Sequence, residues 1–466
     1  MSSTNKVPDG KRVAVASSGW LGFEQVFYNT HTNKVSNSIH EVIDYSDVEF
    51  DPNGLNDYLD FGYSAFGQTP VKNVHYLRSN ETLWRDEAGG LFVRNEDDSA
   101  IDWLSKTTAE SEAWEILHNS VVTWSEKDVR DRVLIPTSGG LDSRLLNYFY
   151  PSKNKVTACT YGISRDQGKS FEVVYGQAVA TKLGVHWTQI TLGNYHRYLP
   201  EWDELYGIST HAHGMYHWEF YSSIRELYGK MPMLSGIVGD AWAGSPKTEA
   251  PMCPDDLVSL GYSHGMAADS GFCLIPTKHE NREAEFLAQK ELLKSERYRV
   301  LYLVRSKMLL LSYLHNVPNK LGFSSYSPFL DKEVALRMLT VEPKRWRNRV
   351  WQYDFIRKHE LDVEVKMKSQ SRRNDLNFEA MKQVPLVCLD VSLLRELFDV
   401  RYLNWINANI DANRISVRFL RHIMGIRNVG GLMRRLGITE STLKAYFAYL
   451  VLKPIEEVLI KSRRDA

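Results

Sequence analysis

The residues Val133-Leu-Ile-Pro-Thr-Ser-Gly-Gly-Leu-Asp-Ser143 bring together the groups that a polyphosphate needs. Gly139 and Gly140 have no side chain to hold a phosphate off the backbone, and free N–H groups at a helix start point toward an anion. The hydroxyls of Ser138 and Ser143 can donate to the same anion. Asp142 would repel it, so an acid at that position makes sense as a ligand to Mg²⁺ bridging phosphate oxygens. The plain alternative is a surface glycine turn capped by serine. A complete Ser-Gly-Gly-x-Asp-Ser run between a strand and a helix argues against it.

Two further stretches carry chemically capable residues. His211-Ala-His213-Gly-Met-Tyr-His217 has metal-like spacing, but no nearby pattern of Cys, Asp or Glu completes a recognisable site, so it reads as a polar pocket wall. Arg427–Arg435, followed by Leu436-Gly-Ile-Thr439, has a helix-turn-helix flavour; zero net charge and few basic residues favour a helical packing unit over a DNA reader.

The loop needs a strand before it and a helix after it, and the pattern supplies both. Val133–Ile135 is a buried-type strand, and a helix follows from about Leu141 to Tyr150, stopped by Pro151. Strands at Val156–Tyr161 and His186–Leu192, a helix at Phe171–Leu183 ended by Gly184, a helix at Tyr216–Tyr228 and a strand at Met233–Ser235 continue the alternation. Such alternation predicts a parallel sheet with helices on both faces, an α/β fold. Upstream, Val13–Ala16, Gln25–Tyr28, Lys34–Ile39 and Gly90–Val93 are β-like between turn residues. Asp51-Pro-Asn-Gly54 and Leu55–Phe61 form a turn and a short helix, and Ser105–Trp124 has helical spacing. Beyond about residue 285 the chain reads mostly helical. The polar run Asn95–Ser99 marks a boundary near residues 95–110.

Composition narrows the class. The chain has 466 residues, enough for roughly two or three domains. Its 57 Lys+Arg and 57 Asp+Glu cancel, which disfavours bulk binding to nucleic acid or to an anionic membrane. Its 12 Trp, 24 Tyr and 18 Phe exclude a disordered chain. Cys159, Cys253, Cys273 and Cys388 form no C-x-x-C pair, and the expected compartment is a reducing cytoplasm. Met308–Leu311 and the other apolar runs are far shorter than the roughly 20 residues of a membrane span. The stretch from Lys11, broken by Ser17, Ser18 and Gly19, does not read as a signal peptide.

The Ser138–Ser143 loop resembles the pyrophosphatase loop (PP-loop) of synthetases that cleave ATP, release pyrophosphate and leave AMP on a carboxylate. Ser235-Gly-Ile-Val-Gly-Asp-Ala-Trp-Ala-Gly244 resembles the Ser-Gly-x-Gly-Gly-Asp-Glu-x-x-Gly-Gly loop of the asparagine synthetase-like family. Ser327-Pro-Phe-Leu-Asp331 is similar to its Arg-x-Pro-Phe-Leu-Asp segment. Asp51–Gly67, and Phe27-Tyr-Asn with Val35–Ile39, resemble parts of its N-terminal glutaminase domain. The likeness covers roughly residues 20–370, with the motifs in the family's order. It implies a β-rich remnant of an Ntn glutaminase-type domain over 1–104. An adenine nucleotide α-hydrolase-like PP-loop synthetase domain follows over 105–466, with a helical extension from about 390.

Carried over by position, the resemblance implies ATP and Mg²⁺. Ser138, Gly139, Gly140, Leu141, Asp142 and Ser143 would hold pyrophosphate, and Asp142 and Asp240 the metal. Tyr161, Gly162 and Ile163 fall where the family's second strand passes the adenine, and Gly236 lies near the nucleotide. Val365-Lys-Met-Lys368 resembles the family's Arg-x-Lys segment; Lys368, supported by Lys366, would neutralise charge developing on the α-phosphate.

The pattern also departs from the family. No cysteine precedes Cys159 to serve as the glutaminase nucleophile, so glutamine hydrolysis is expected to be absent and the N-terminal lobe inert. Ile237 and Ala241 replace acidic residues that flank the metal Asp in the family, and Ser324 and Tyr326 stand where the family has Glu and Arg. Tyr326 beside Lys368 is a candidate acid/base group, with a core tyrosine as the alternative. The expected function is an ATP-dependent carbon–nitrogen ligase that adenylates a substrate carboxylate and passes it to ammonia or an amine. A separate nitrogen-donor protein and a homodimer are compatible with this; a membrane is not expected and nucleic acid is disfavoured. The alternatives are a nucleotide-binding scaffold without turnover and a PP-loop modifier of nucleobases or tRNA.

Overall fold

The computed structural model describes residues 12–129, 131–261, 266–363, 371, 373–415, 417, 419 and 441–465. Its centre is a five-stranded parallel sheet of β7 (Val133–Pro136), β8 (Val156–Thr160), β9 (His186–Gln189), β10 (Pro232–Leu234) and β11 (Ser324–Tyr326), in the order β11-β10-β7-β8-β9. Val133, Leu134 and Ile135 are fully buried, and all five residues of β8 are buried, as a strand covered on both faces requires. The chain runs outward from β7 through β8 to β9 and then returns to the other side of β7 as β10. This reversal lies between β7 and β10, and ligands in such sheets bind in the crevice beyond the strand ends at that point.

Helices fit closely onto the sheet. Helix Phe171–Leu183 presents Gly176 to β8, where an added Cβ would stand 2.7 Å from Thr160 Oγ1. Gly184, with φ +66°, ends that helix in the left-handed conformation, as its sequence position predicts. The helix after the Ser138 loop runs Leu141–Phe149, and the helix expected over Ser105–Trp124 starts only at Glu110 and runs on to Asp128.

The N-terminal part holds two small antiparallel sheets, β1 (Val13–Ser17)–β5 (Glu81–Arg85)–β6 (Leu91–Asn95) and β3 (Val35–Ser36)–β2 (Phe27–Asn29)–β4 (Val74–Tyr76). The strand expected over Lys34–Ile39 is only two residues long. Ile39–Val42 is a helical turn instead, because Ile39 and Val42, three apart, both face the core. The pattern gave no sign of β4, β5 or β11; each is three to five residues long and pairs with a strand distant in sequence, β5 also with the adjacent β6. Asp51 caps helix Pro52–Phe61 by accepting from Gly54 N at 2.7 Å.

Residues on both sides of position 104 share the core. Phe27, Val42 and Leu55 pack in one cluster with Leu134, Trp202 and Val458; Leu21 and Phe61 pack in another with Ile135 and Trp242. Arg78 grips Glu285 through two bonds of 2.9 and 2.8 Å, and Arg305 pairs with Asp98. Arg282, 3% exposed, holds Asp57 at 2.7 Å and Asp60 at 2.8 Å. Among the described residues no helix is long and apolar enough to cross a membrane.

Candidate functional site

The turn after β7 is built by its own side chains. Ser143 Oγ accepts from Ser138 N at 3.1 Å and lies 3.3 Å from Ser138 Oγ, which accepts from Gly140 N at 3.1 Å. Asn147, buried one turn later, donates to Ser143 O and Thr137 Oγ1, each at 2.8 Å. Arg144 is fully buried and donates from Nη2 to Gly139 O at 3.0 Å and from Nη1 to Leu361 O at 3.1 Å. Gly139 is required for packing: an added Cβ would meet the Tyr175 ring at 3.0 Å. The turn thus opens the N-terminus of helix Leu141–Phe149 toward the crevice with its shape fixed in advance.

A cavity of about 630 Å³ lies beyond the strand ends. Ser138, Gly140, Asp142 and Ser143 line one side; Ser235, Gly236, Ile237 and Asp240, from the loop after β10, line the facing side. The two loops nearly touch, since a Cβ on Gly236 would stand 3.4 Å from Asp142 Cβ and one on Gly239 3.0 Å from Asp142 Cγ. Tyr161 and Ile163 follow β8, and with Glu172, Tyr216, His217 and Phe220 they form a wall rich in aromatic rings. Burial pushes the Asp142 carboxyl up to about 6; Arg349 opposes the shift and the nearby charge of Asp240 adds to it. Burial likewise pushes the Glu172 carboxyl up to about 7.

Asp142 and Asp240 are the acids beside the Ser138–Ser143 turn. Among the described residues there is no group of three or more His, Cys, Asp and Glu able to hold a metal. Two carboxylates would still fit Mg²⁺, which commonly takes one or two protein carboxylates and completes its shell with ligand oxygens and water. They do not fit a metal that needs an all-protein cage.

Several expected site residues converge here: Ser138, Gly140, Asp142, Ser143, Tyr161, Ile163, Gly236 and Asp240 all line the cavity. Gly139 and Leu141 support the turn from behind, Leu141 being buried. Gly162 is not a lining residue. It permits a tight turn, since a Cβ there would lie 2.3 Å from Gln167 O. Tyr326 is not brought to the cavity either. Its hydroxyl lies 2.6 Å from Ser120 Oγ, its ring stacks on Trp124 at 5.2 Å, and burial raises its pKa, opposite to the direction expected beside a lysine. Lys366 and Lys368 lie outside the described residues, as does the Arg427–Arg435 stretch. Of the three histidines, His217 lines the cavity; burial lowers its pKa to about 3, which keeps it neutral.

Two cations were not anticipated. Arg349 Nη2 bonds Asp142 Oδ1 at 2.7 Å, with Nε on Gln352 Oε1 at 2.7 Å. Asn348 and Arg349 both have positive φ, +57° and +61°, a costly backbone for non-glycine residues that turns the chain into helix Val350–Lys358. Lys307, on helix Glu296–Leu311, lines the cavity beside Asp240, and burial lowers its pKa. No local motif marks either residue; each reaches the cavity only through the packing of a distant helix. No protein-family model matches the chain, and no curated protein matches it.

Proposed function

We propose that the protein is an AMP-forming carbon–nitrogen ligase of the asparagine synthetase-like kind, acting on ATP and a small-molecule carboxylate. On this reading the parallel-sheet part is a PP-loop synthetase domain, and the small N-terminal sheets are a remnant of a glutaminase-type domain without hydrolytic activity. One observation carries it: the Ser138–Ser143 turn opens a helix N-terminus toward the crevice where the sheet order reverses, with Asp240 facing Asp142 across it.

The chain's own groups suit the chemistry. Backbone N–H groups at the start of helix Leu141–Phe149, with the Ser138 and Ser143 hydroxyls, would hold the β- and γ-phosphates. Asp142 and Asp240 would hold Mg²⁺, which when bound neutralises phosphate charge. Arg349, which pairs with Asp142, would add a guanidinium to the departing pyrophosphate. The ring wall at Tyr161 suits a purine base. A carboxylate oxygen attacks the α-phosphorus, the bond to the bridging oxygen breaks, and pyrophosphate leaves. An amine nitrogen then attacks the acyl carbon, AMP leaves with the former carboxylate oxygen, and the nitrogen loses a proton. Ammonia, supplied free or by a separate protein, or the amino group of a second substrate would be the nucleophile.

ATP–pyrophosphate exchange across a panel of carboxylates tests the proposal. Exchange that depends on a carboxylate and is lost in Asp142→Asn supports it; formation of ADP in place of AMP overturns it. A second reading, nucleotide binding without turnover, is favoured by the apolar Ile237 and Ala241 beside Asp240. It predicts ATP binding with no exchange for any acid.

A further inference from the structure

Lys307 is the feature of the cavity that phosphate binding does not account for. It stands between apolar residues on one face of its helix: Leu303 and Val304 lie four and three residues before it, and Leu311 four after it. Leu314, on the following helix Tyr313–Lys320, extends the same wall. Ile237 and Ala241, which flank Asp240 on the loop after β10, close it. Among the described residues the Lys307 amine makes no hydrogen bond or ion pair; burial disfavours its charge, and the nearby Asp240 carboxylate offsets only part of that. A largely desolvated ammonium opening into a cavity calls for an anion.

The wall also lacks what an amino acid would need. Among the described residues the carboxylates lining the cavity are Asp142, Asp240 and Glu172. The first two face the phosphate position, and Glu172 belongs to the first turn of the helix after β8. Of these only Asp240 lies close to the aliphatic wall, between Ile237 and Ala241, and its charge already faces Lys307, so an α-ammonium group there would compete for a carboxylate that is taken.

We infer that the acceptor is a carboxylic acid with an uncharged, apolar body, its carboxylate held by Lys307 and its body lying along Leu303, Val304, Leu311, Leu314, Ile237 and Ala241. The inference deepens the ligase reading, on which it rests for the fate of the acid, though not for its binding. The Lys307 amine, set beside Asp240, orients the acid toward the α-phosphate, while the apolar wall selects the body by burial.

The full chain is titrated with hexanoate, phenylacetate, hexanamide and aspartate by ligand-observed NMR, and the same acids are used in ATP–pyrophosphate exchange. Hexanoate and phenylacetate should bind, with hexanamide and aspartate at least about tenfold weaker, the scale of one charge-assisted hydrogen bond. Lys307→Met should abolish the preference for hexanoate over hexanamide, and Lys307→Arg should keep it; an unchanged melting temperature in either variant excludes a folding defect. Aspartate binding as tightly as hexanoate, or an unchanged acid-over-amide preference in Lys307→Met, overturns the inference. Exchange with aspartate alone sinks this inference and leaves the ligase standing. Binding of hexanoate through Lys307 without any exchange sinks the ligase and leaves this inference standing.

Discussion

At the scale of single residues, the balance among Asp142, Asp240 and Arg349 governs the proposed metal position. Arg349 occupies one oxygen of the Asp142 carboxylate, which would also bind Mg²⁺. Arg349→Met should therefore tighten Mg²⁺ binding to the nucleotide-free protein, read as a larger Mg²⁺-induced rise in melting temperature, while slowing pyrophosphate exchange by about tenfold or more. An unchanged Mg²⁺ response would show that the ion pair does not guard the site. Tyr326 makes the opposite case. A general acid or base is worth about 10²–10⁴ in rate. Tyr326→Phe should instead leave exchange within about threefold of wild type and cost on the order of 1 kcal/mol of stability, from the lost bond to Ser120. A hundredfold loss of exchange at unchanged stability would restore it to the reaction.

At the scale of elements, the turn is only as well placed as the helices behind it. Helix Phe171–Leu183 sits against β8 because Gly176 has no side chain. Gly176→Val should push that helix off the sheet, destabilising the protein by about 1–3 kcal/mol in denaturant unfolding and weakening nucleotide binding with it. Stability equal to wild type would mean the close approach is dispensable. Arg144 has a similar role from the other side, joining the turn at Gly139 to the chain at Leu361.

For the whole molecule, three buried imidazoles tie remote segments together. His196 bonds Val384 O and Tyr446 Oη, each at 2.9 Å, linking the middle of the chain to helix Ser441–Asp465. Burial lowers the pKa of His196 and of His315 to about 4 and that of His217 to about 3. The unfolded chain therefore takes up protons below about pH 6.5 that the folded one refuses. Their stabilising contribution is complete above that pH and is lost as pH falls toward 4. Asp142 and Glu172, raised to about 6 and about 7, act in the opposite direction over the same window, so the imidazole contribution is read by difference. The melting temperature of His196→Gln should rise relative to that of the wild type as pH falls from about 6.5 to about 4; a constant difference would contradict the neutral, buried state of His196. Arg282 tests the join across position 104. Arg282→Met leaves Asp57 buried and uncompensated, and should cost about 3–5 kcal/mol.

What the sequence determined by itself was what is local. The order Val133–Pro136, turn, Leu141–Phe149 was legible because a strand, a glycine turn and a helix cap are set by neighbouring residues. Asp142 and Asp240 were legible by resemblance of the runs that contain them. The tertiary structure decided which side chains share a cavity. Arg349 meets Asp142 across 207 positions, Lys307 enters from a helix with no motif, and Tyr326 turns to Ser120 because β11 presents that face of the residue to helix Glu110–Asp128. Periodicity carries no information about such meetings. They follow from which helices cover which edge of the sheet, and that is settled by burying the apolar surface of the whole chain at once.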